Sequence, residues 1–381
     1  MPDFEFLPPL SLYIHIPWCV RKCPYCDFNS HEFKGDIDEE SYVSALVRDL
    51  ETVLPEVWGR RVSSVFFGGG TPSLMSPASI EQILVQARMR LPMDAHAEVT
   101  MEANPGTFEY GKFAAFRDAG VNRLSIGIQS FDDRHLAALG RIHDGRQACV
   151  AVEMALKHFG NVNLDLMYAL PGQTLKEAGS DFARAISFSP PHISAYHLTI
   201  EPNTLFHRHP PEVPEEDEAF EMGCMIEEML GSAYIHYETS AFAKAGWQCR
   251  HNLNYWKFGD YIGIGAGAHA KISLPRSITR QMRYRRPLDY VEKALGGNPV
   301  QERHDVPESG IPFEFMMNAL RLNEGFPLSL FEERTGLSRL AILAQLDEAE
   351  RRGLILRDHL KVTPTLQGRR FLNDLLQIFL G

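Results

Sequence analysis

Three cysteines in the spacing C-x3-C-x2-C, Cys19, Cys23 and Cys26, constrain this chain more than any other feature. They follow an alternating run in which Leu12, Ile14 and Ile16 share one face and Tyr13 and His15 the other, the period of a half-buried strand. Pro17 cannot donate to a sheet ladder, so the strand is expected to stop there and hand over to a short loop that carries the thiols. Thiolates this close together are soft ligands for iron or zinc. A four-iron cluster is commonly held by four cysteines. Three would leave one iron open to a small chelating molecule. The competing reading is a structural zinc knuckle of the three cysteines closed by His31 or His15, because such sites take four protein ligands.

At 381 residues and 44% hydrophobic content the chain can build a full core and more than one domain. A net charge of -11 argues against a general nucleic-acid binder. No apolar run reaches the length of a membrane span, and the start MPDFEFLPPL has neither the basic nor the apolar region of a signal peptide. The other three cysteines, Cys149, Cys224 and Cys249, are scattered, which is not a disulfide framework. A reduced, cytoplasmic protein is expected.

Beyond the cysteine loop, strand-like runs alternate with helical ones. Strands are expected at Arg61–Phe67, His96–Glu102, Arg123–Ile128, Asn161–Tyr168 and His192–Leu198. Helices are expected between them at Asp38–Leu54, Ser76–Leu91, Phe108–Ala119, Asp132–Leu139, Gly145–His158 and Thr174–Ser187. With the cysteine strand this makes six parallel βα units, an α/β fold of TIM-like barrel architecture. Active residues on such a barrel gather at the C-terminal strand ends, where the cysteine loop lies. The Gly68-Gly69-Gly70-Thr71-Pro72 turn, Glu102, Gln129, Asp165 and Arg141 fall on the same side. Glycines let backbone approach a ligand closely, although an ordinary βα turn has the same look. The polar residues are each, taken alone, ordinary caps or paired buried groups. Together they can hold ribose hydroxyls, and Arg141 a carboxylate.

The cysteine loop at a strand end resembles the signature of the radical S-adenosylmethionine (SAM) superfamily. The motifs YIHIPWCVRKCPYCDFNSH, FFGGGTPS, EANPG, RLSIGIQSF, DLMYALPGQT and HNLNYW resemble the oxygen-independent coproporphyrinogen III dehydrogenase family over nearly the whole chain, and within it the haem-chaperone branch called HemW. The resemblance implies an open (β/α)6 barrel and a [4Fe-4S] cluster on Cys19, Cys23 and Cys26. It implies SAM contacts at the matching Tyr13, Tyr25, Gly69, Gly70, Thr71, Glu102, Gln129, Arg141 and Asp165, with Tyr25 beside the adenine. The dehydrogenase branch carries a fourth cysteine that would fall at Phe28, and phenylalanine cannot ligate iron.

HNLNYW matches the chaperone branch. There the resemblance makes His251 the leading haem-iron ligand, with Cys249 behind it and Tyr255 and Trp256 as flat apolar surface. Without the resemblance, His251 is more simply a solvated or hydrogen-bonded loop histidine. The expected function is therefore to bind haem and deliver it to apo-haemoproteins such as respiratory enzymes. Rival readings are the dehydrogenase, a radical SAM methylase and the zinc knuckle. A cluster-dependent homodimer is also plausible for the family. The basic stretch Lys271–Arg286 is by default a solvated loop, and otherwise a contact for haem propionates or an anionic membrane surface.

Three regions are expected: the barrel over 1–200, a connecting region with the candidate haem motif over 201–306, and a helical, winged-helix-like C-terminal domain over 307–381. That last stretch balances nine acidic with nine basic residues from Gly310 onward, so DNA binding has no electrostatic support.

Overall fold

The computed structural model describes residues 1–33, 35–106 and 111–380. All six expected barrel strands are present: β1 (Leu10–Ile16), β2 (Val62–Gly69), β3 (Met93–Ala103), β4 (Arg123–Gln129), β5 (Asn161–Tyr168) and β6 (His192–His197). They pair in sequence order, each parallel to the next. Right-handed βα units produce this order, because each crossover helix returns the chain to the same end of the sheet. The start of the helix expected over Phe108–Ala119 lies outside the described residues, and its described part is Phe113–Asp118.

Every barrel strand alternates. Leu124, Ile126 and Ile128 of β4 are fully buried against the helices. Arg123, Ser125, Gly127 and Gln129, on the other face, line the barrel interior. The same holds for Asn163 and Asp165 of β5 and for His192, Ser194 and Tyr196 of β6. A period of two on strands that are covered on both sides gives an apolar shell outside and a polar lumen inside.

Residues 201–306, expected as a connecting region, instead extend the barrel sheet at both edges. Antiparallel to β6 lies β8 (Ala241–Ala243), and antiparallel to β8 lies β7 (Ile235–Glu238). Beside β1 lies β9 (Asp260–Ile264), parallel to it, followed by the antiparallel β10 (His269–Leu274), β11 (Ser277–Arg283) and β12 (Val300–Asp305). The result is one twelve-stranded sheet in the order β12-β11-β10-β9-β1-β2-β3-β4-β5-β6-β8-β7.

A close-packed glycine turn follows β9. At Gly265, with φ +104°, a Cβ would stand 2.3 Å from the His15 carbonyl oxygen. Only glycine allows the turn to lie against the end of β1.

Much of the basic stretch is internal. Lys271 is buried and its Nζ lies 2.8 Å from Asp260 Oδ1. Arg283 is fully buried and pairs with Asp49 at 3.2 Å. Arg280 pairs with Glu314 at 2.7 Å. Of the arginines in this stretch, Arg276, Arg285 and Arg286 are the exposed ones. That leaves a much smaller cationic surface than the sequence reading allowed.

The C-terminal region builds a second core from Phe315, Phe331, Leu346, Ile355 and Val362, which Phe258 and Ile278 of the sheet edge also join. Its helices include Ile311–Ala319, Leu328–Thr335 and Leu343–Arg351, and its wing is the hairpin Ile355–Arg357 with Lys361–Pro364. The last helical stretch breaks at Phe371 into Leu366–Arg370 and Leu372–Gln377. Among the described residues no helix is long and apolar enough to cross a membrane.

Candidate functional site

The cysteine loop is clamped at both ends. Trp18–Cys19 pairs in parallel with His31–Glu32, and the Gly70 amide donates to the Ile16 carbonyl at 2.7 Å. Asn29 Nδ2 donates to the Ala266 and Arg285 carbonyls at 2.9 Å each, fixing the loop to the glycine turn. The GGGTP turn packs against this loop so tightly that a Cβ at Gly70 would lie 2.5 Å from the Trp18 carbonyl oxygen, and one at Gly69 2.6 Å from the His15 ring. These glycines therefore answer first to the cysteine loop itself, a reason for the motif beyond close approach to a ligand.

Cys19, Cys23 and Cys26 are half-buried and face one cavity of about 470 Å³. A relay of donors runs along its rim. Thr71 Oγ1 donates to Cys19 Sγ at 3.6 Å, and Asn104 Nδ2 to Thr71 Oγ1 at 3.0 Å. Arg141 donates to Asn104 Oδ1 at 2.6 Å and to Cys23 Sγ at 3.5 Å. Arg141 also donates to the Gly127 carbonyl at 2.8 Å, so most of its guanidinium is committed to the rim. Burial raises the Cys19 and Cys26 thiols above their ordinary value, an effect partly offset by the Thr71 hydroxyl at Cys19 and by the Phe28 backbone and the Ser30 hydroxyl at Cys26.

Most of the sequence-predicted residues line this same cavity: Tyr13, Tyr25, Gly69, Gly70, Thr71, Glu102, Gln129, Arg141, Asp165 and His251 do, whereas Cys249 and Trp256 do not. The Glu102 carboxylate accepts from the Gly69 amide at 3.2 Å. Burial, and then the charge of Asp165, push its carboxyl up to about 8. Asp165 accepts from Ser125 Oγ and Asn163 Nδ2, both at 2.8 Å, and burial raises its carboxyl as well. Tyr13 donates toward His15 Nδ1 at 3.0 Å, and Tyr25 packs beside Phe206. The floor holds residues that sequence reasoning missed, Arg123 and His192 among them. Their signal was present: a polar residue at every second place in an otherwise apolar strand.

Residues 13–183 match the radical SAM superfamily, and residues 308–371 match the HemN C-terminal domain. The haem chaperone HemW of Escherichia coli is 48% identical over 98% of this chain and 99% of its own. HemW of Bacillus subtilis is 34% identical over 97% and 99%. The chain belongs to the HemW family. The E. coli coproporphyrinogen III oxidase HemN, a radical SAM enzyme, superposes with a TM-score of 0.82 over 98% of this chain and 90% of its own. At 22% identity that likeness concerns the fold.

Radical SAM membership of this HemW chain implies SAM and a four-iron cluster, and the residues present fit both. Three thiols converge on one cavity beside two buried carboxylates, Glu102 and Asp165, which suit the ammonium and sulfonium charges of SAM. Zinc fits less well. Both imidazoles proposed to close a knuckle are otherwise engaged, His15 Nε2 with the Asn29 carbonyl at 2.9 Å and His31 Nε2 with the Arg285 carbonyl at 3.2 Å.

The sequence reading of His251 as a loop residue needs correction. It lies in the helix Arg250–Trp256 with 1% of its surface exposed. Ser64 Oγ stands 3.0 Å from Nδ1 and the Tyr255 hydroxyl 3.0 Å from Nε2, so neither ring nitrogen is free. Burial, then the nearby Arg123 charge, lower its pKa to about 3. Cys249 is fully buried too and donates to Glu98 at 3.6 Å.

Proposed function

We propose that this chain binds haem and delivers it to apo-haemoproteins, such as respiratory enzymes, while its SAM-and-cluster cavity governs the transfer. The observation that carries this reading is the 48% identity, across both full lengths, with a protein named as a haem chaperone. Bound SAM and reduced cluster would supply a 5′-deoxyadenosyl radical or, uncleaved, a ligand-dependent state of the barrel. In either case the chain's own part is to seat them: three thiols for iron, Glu102 and Asp165 for the cationic groups of SAM, and Tyr25 for its adenine.

The second reading, oxidative decarboxylation of coproporphyrinogen III, has the HemN-like fold in its favour. Against it stands Phe28, 59% exposed at the cavity wall where that branch has a fourth thiol.

An anaerobic titration of the cluster-loaded protein with haem, followed by mixing with an apo-haemoprotein, separates the two. Saturable binding and transfer support the chaperone. Conversion of coproporphyrinogen III with SAM and reductant, without haem transfer, would establish the enzyme instead. The same preparations, run on a sizing column with and without cluster, test the cluster-dependent homodimer. Binding to anionic vesicles, compared after replacement of Arg276, Arg285 and Arg286, tests a membrane contact.

A further inference from the structure

We propose that haem occupies a second cleft, between the sheet edge and the C-terminal domain, with its iron ligated from the pair His269 and His304. The proposal rests on the haem-binding reading above and gives it a place.

The barrel cavity is poorly suited to the cargo. Its 470 Å³ must already accommodate SAM and the cluster, and pockets of about 300–1,000 Å³ typically serve a single drug-sized ligand. Its two imidazoles, His251 and His192, each have both nitrogens in hydrogen bonds. A cargo lodged beneath SAM would also be cut off from a recipient protein.

A cleft of about 440 Å³ opens on the other side of the HNLNYW helix. Tyr255 belongs to both linings, so the helix is the wall between the two spaces. The cleft is walled by Trp256 and Tyr261 on one side and by Met317 and Asn318 of the C-terminal domain on the other.

The sheet register explains why two imidazoles line it. Tyr261, Lys271, Arg280 and His304 stand directly opposite one another across β9, β10, β11 and β12. His269 is two residues from Lys271 on β10, so it projects from the same face. Strand spacing places β10 and β12 about 10 Å apart, with the cleft above them.

The chemistry of the lining matches a metalloporphyrin. Aromatic faces and a thioether offer flat, polarisable surface, and imidazole is the common protein ligand for haem iron. Among the described residues neither His269 nor His304 has a side-chain hydrogen bond or ion pair, so their ring nitrogens are free to coordinate. The indole nitrogen of Trp256 is buried without an acceptor, while Arg321 stacks on its ring at 4.3 Å. An indole braced from one side and unpaired at its N–H is ready for a ligand group in the cleft.

The test is a titration of the cluster-loaded full chain with ferric haem, read at the Soret band. The double variant His269→Ala/His304→Ala is expected to weaken binding by roughly tenfold or more and to shift the band of any residual complex. Asn318→Trp, which fills the cleft while keeping both imidazoles, is expected to weaken it likewise. Cluster absorbance and Tm check the fold of each. If the double variant loses its cluster absorbance, Asn318→Trp decides alone. A folded double variant that binds haem like the wild type overturns the cleft assignment and leaves the chaperone reading standing. A wild type that binds no haem overturns both.

Discussion

His251 and Tyr255, one helical turn apart, share a 3.0 Å hydrogen bond that runs from the barrel cavity into the wall of the outer cleft. With Ser64 on the other ring nitrogen at 3.0 Å, the imidazole is a structural bridge rather than an open ligand. His251→Ala leaves the buried Tyr255 hydroxyl without its partner, while Ser64 Oγ keeps Ser11 Oγ at 2.9 Å, so the cost is about 1–3 kcal/mol. Thermal unfolding should show a lowered Tm, with haem affinity unchanged. A tenfold loss of affinity, equivalent to about 1.4 kcal/mol, would instead return the iron to His251.

Cys23 is the cysteine that Arg141 reaches, at 3.5 Å, and it should be indispensable for the cluster. Cys23→Ser replaces a soft thiolate with a hard, poorly ionised oxygen. After anaerobic reconstitution, iron per chain is expected to fall from about four to near zero. Cys249→Ser should keep its iron, because that thiol is buried beside Glu98, away from the loop. Iron and sulfide analysis of the two variants side by side checks the assignment.

The barrel was legible in sequence because each of its strands carries its own pattern, as Leu124, Ile126 and Ile128 do in β4. The cysteine site was legible because its ligands are local: Cys19 to Cys26 span one loop. The sheet edge was not, and the reason is electrostatic. Lys271, Arg280 and Arg283 look like a solvated basic stretch until their partners are known, and those partners, Asp260, Glu314 and Asp49, lie on other elements. β12, with the sequence VQERHD, is an exposed edge strand whose residues beyond Val300 carry no apolar alternation. HNLNYW has too few apolar positions for a helical period to show, so its helix, and with it the burial of His251, emerged only from the fold.

The Lys271–Asp260 pair at 2.8 Å ties β10 to β9, and Arg60, just before β2, ties the second Asp260 oxygen to the barrel at 2.8 Å. Burial alone would raise the Asp260 carboxyl, but the two cations outweigh it and leave it below its ordinary value. A depressed carboxylate contributes stability above the unfolded pKa, and that contribution is lost as pH falls through the folded value. The wild type should therefore lose stability in acid below about pH 4 partly through this group. Lys271→Met removes one of the two cations on a buried carboxylate that keeps Arg60, and should cost part of the roughly 3–5 kcal/mol of a fully broken buried pair at neutral pH. Denaturant melts at neutral and acid pH test both parts. A variant as stable as the wild type at neutral pH would show that the pair does not secure the edge.

With Glu102 seated against SAM, as proposed above, SAM binding is expected to depend on pH with a definite sign. The groups around it are Asp165, which raises its pKa, and the Gly69 amide and Arg123, which lower it; burial is the largest influence, and the result is about 8. Folding thus lifts this carboxyl from 4.5 to about 8, so between those values the folded chain holds a proton that the unfolded chain has released. Stability of the SAM-free protein is expected to decline as pH rises through that window. SAM brings an ammonium and a sulfonium, both of which favour the ionised form. Binding near neutrality should therefore expel a proton, and affinity should climb with pH before levelling off above the folded pKa. Glu102→Gln, with no proton to lose, should bind more weakly at high pH and respond little to pH. Calorimetry in two buffers of different ionisation enthalpy measures the released proton directly. A wild-type affinity that stays flat from about pH 6 to about pH 9 would mean that Glu102 is not the group that meets the charge of SAM.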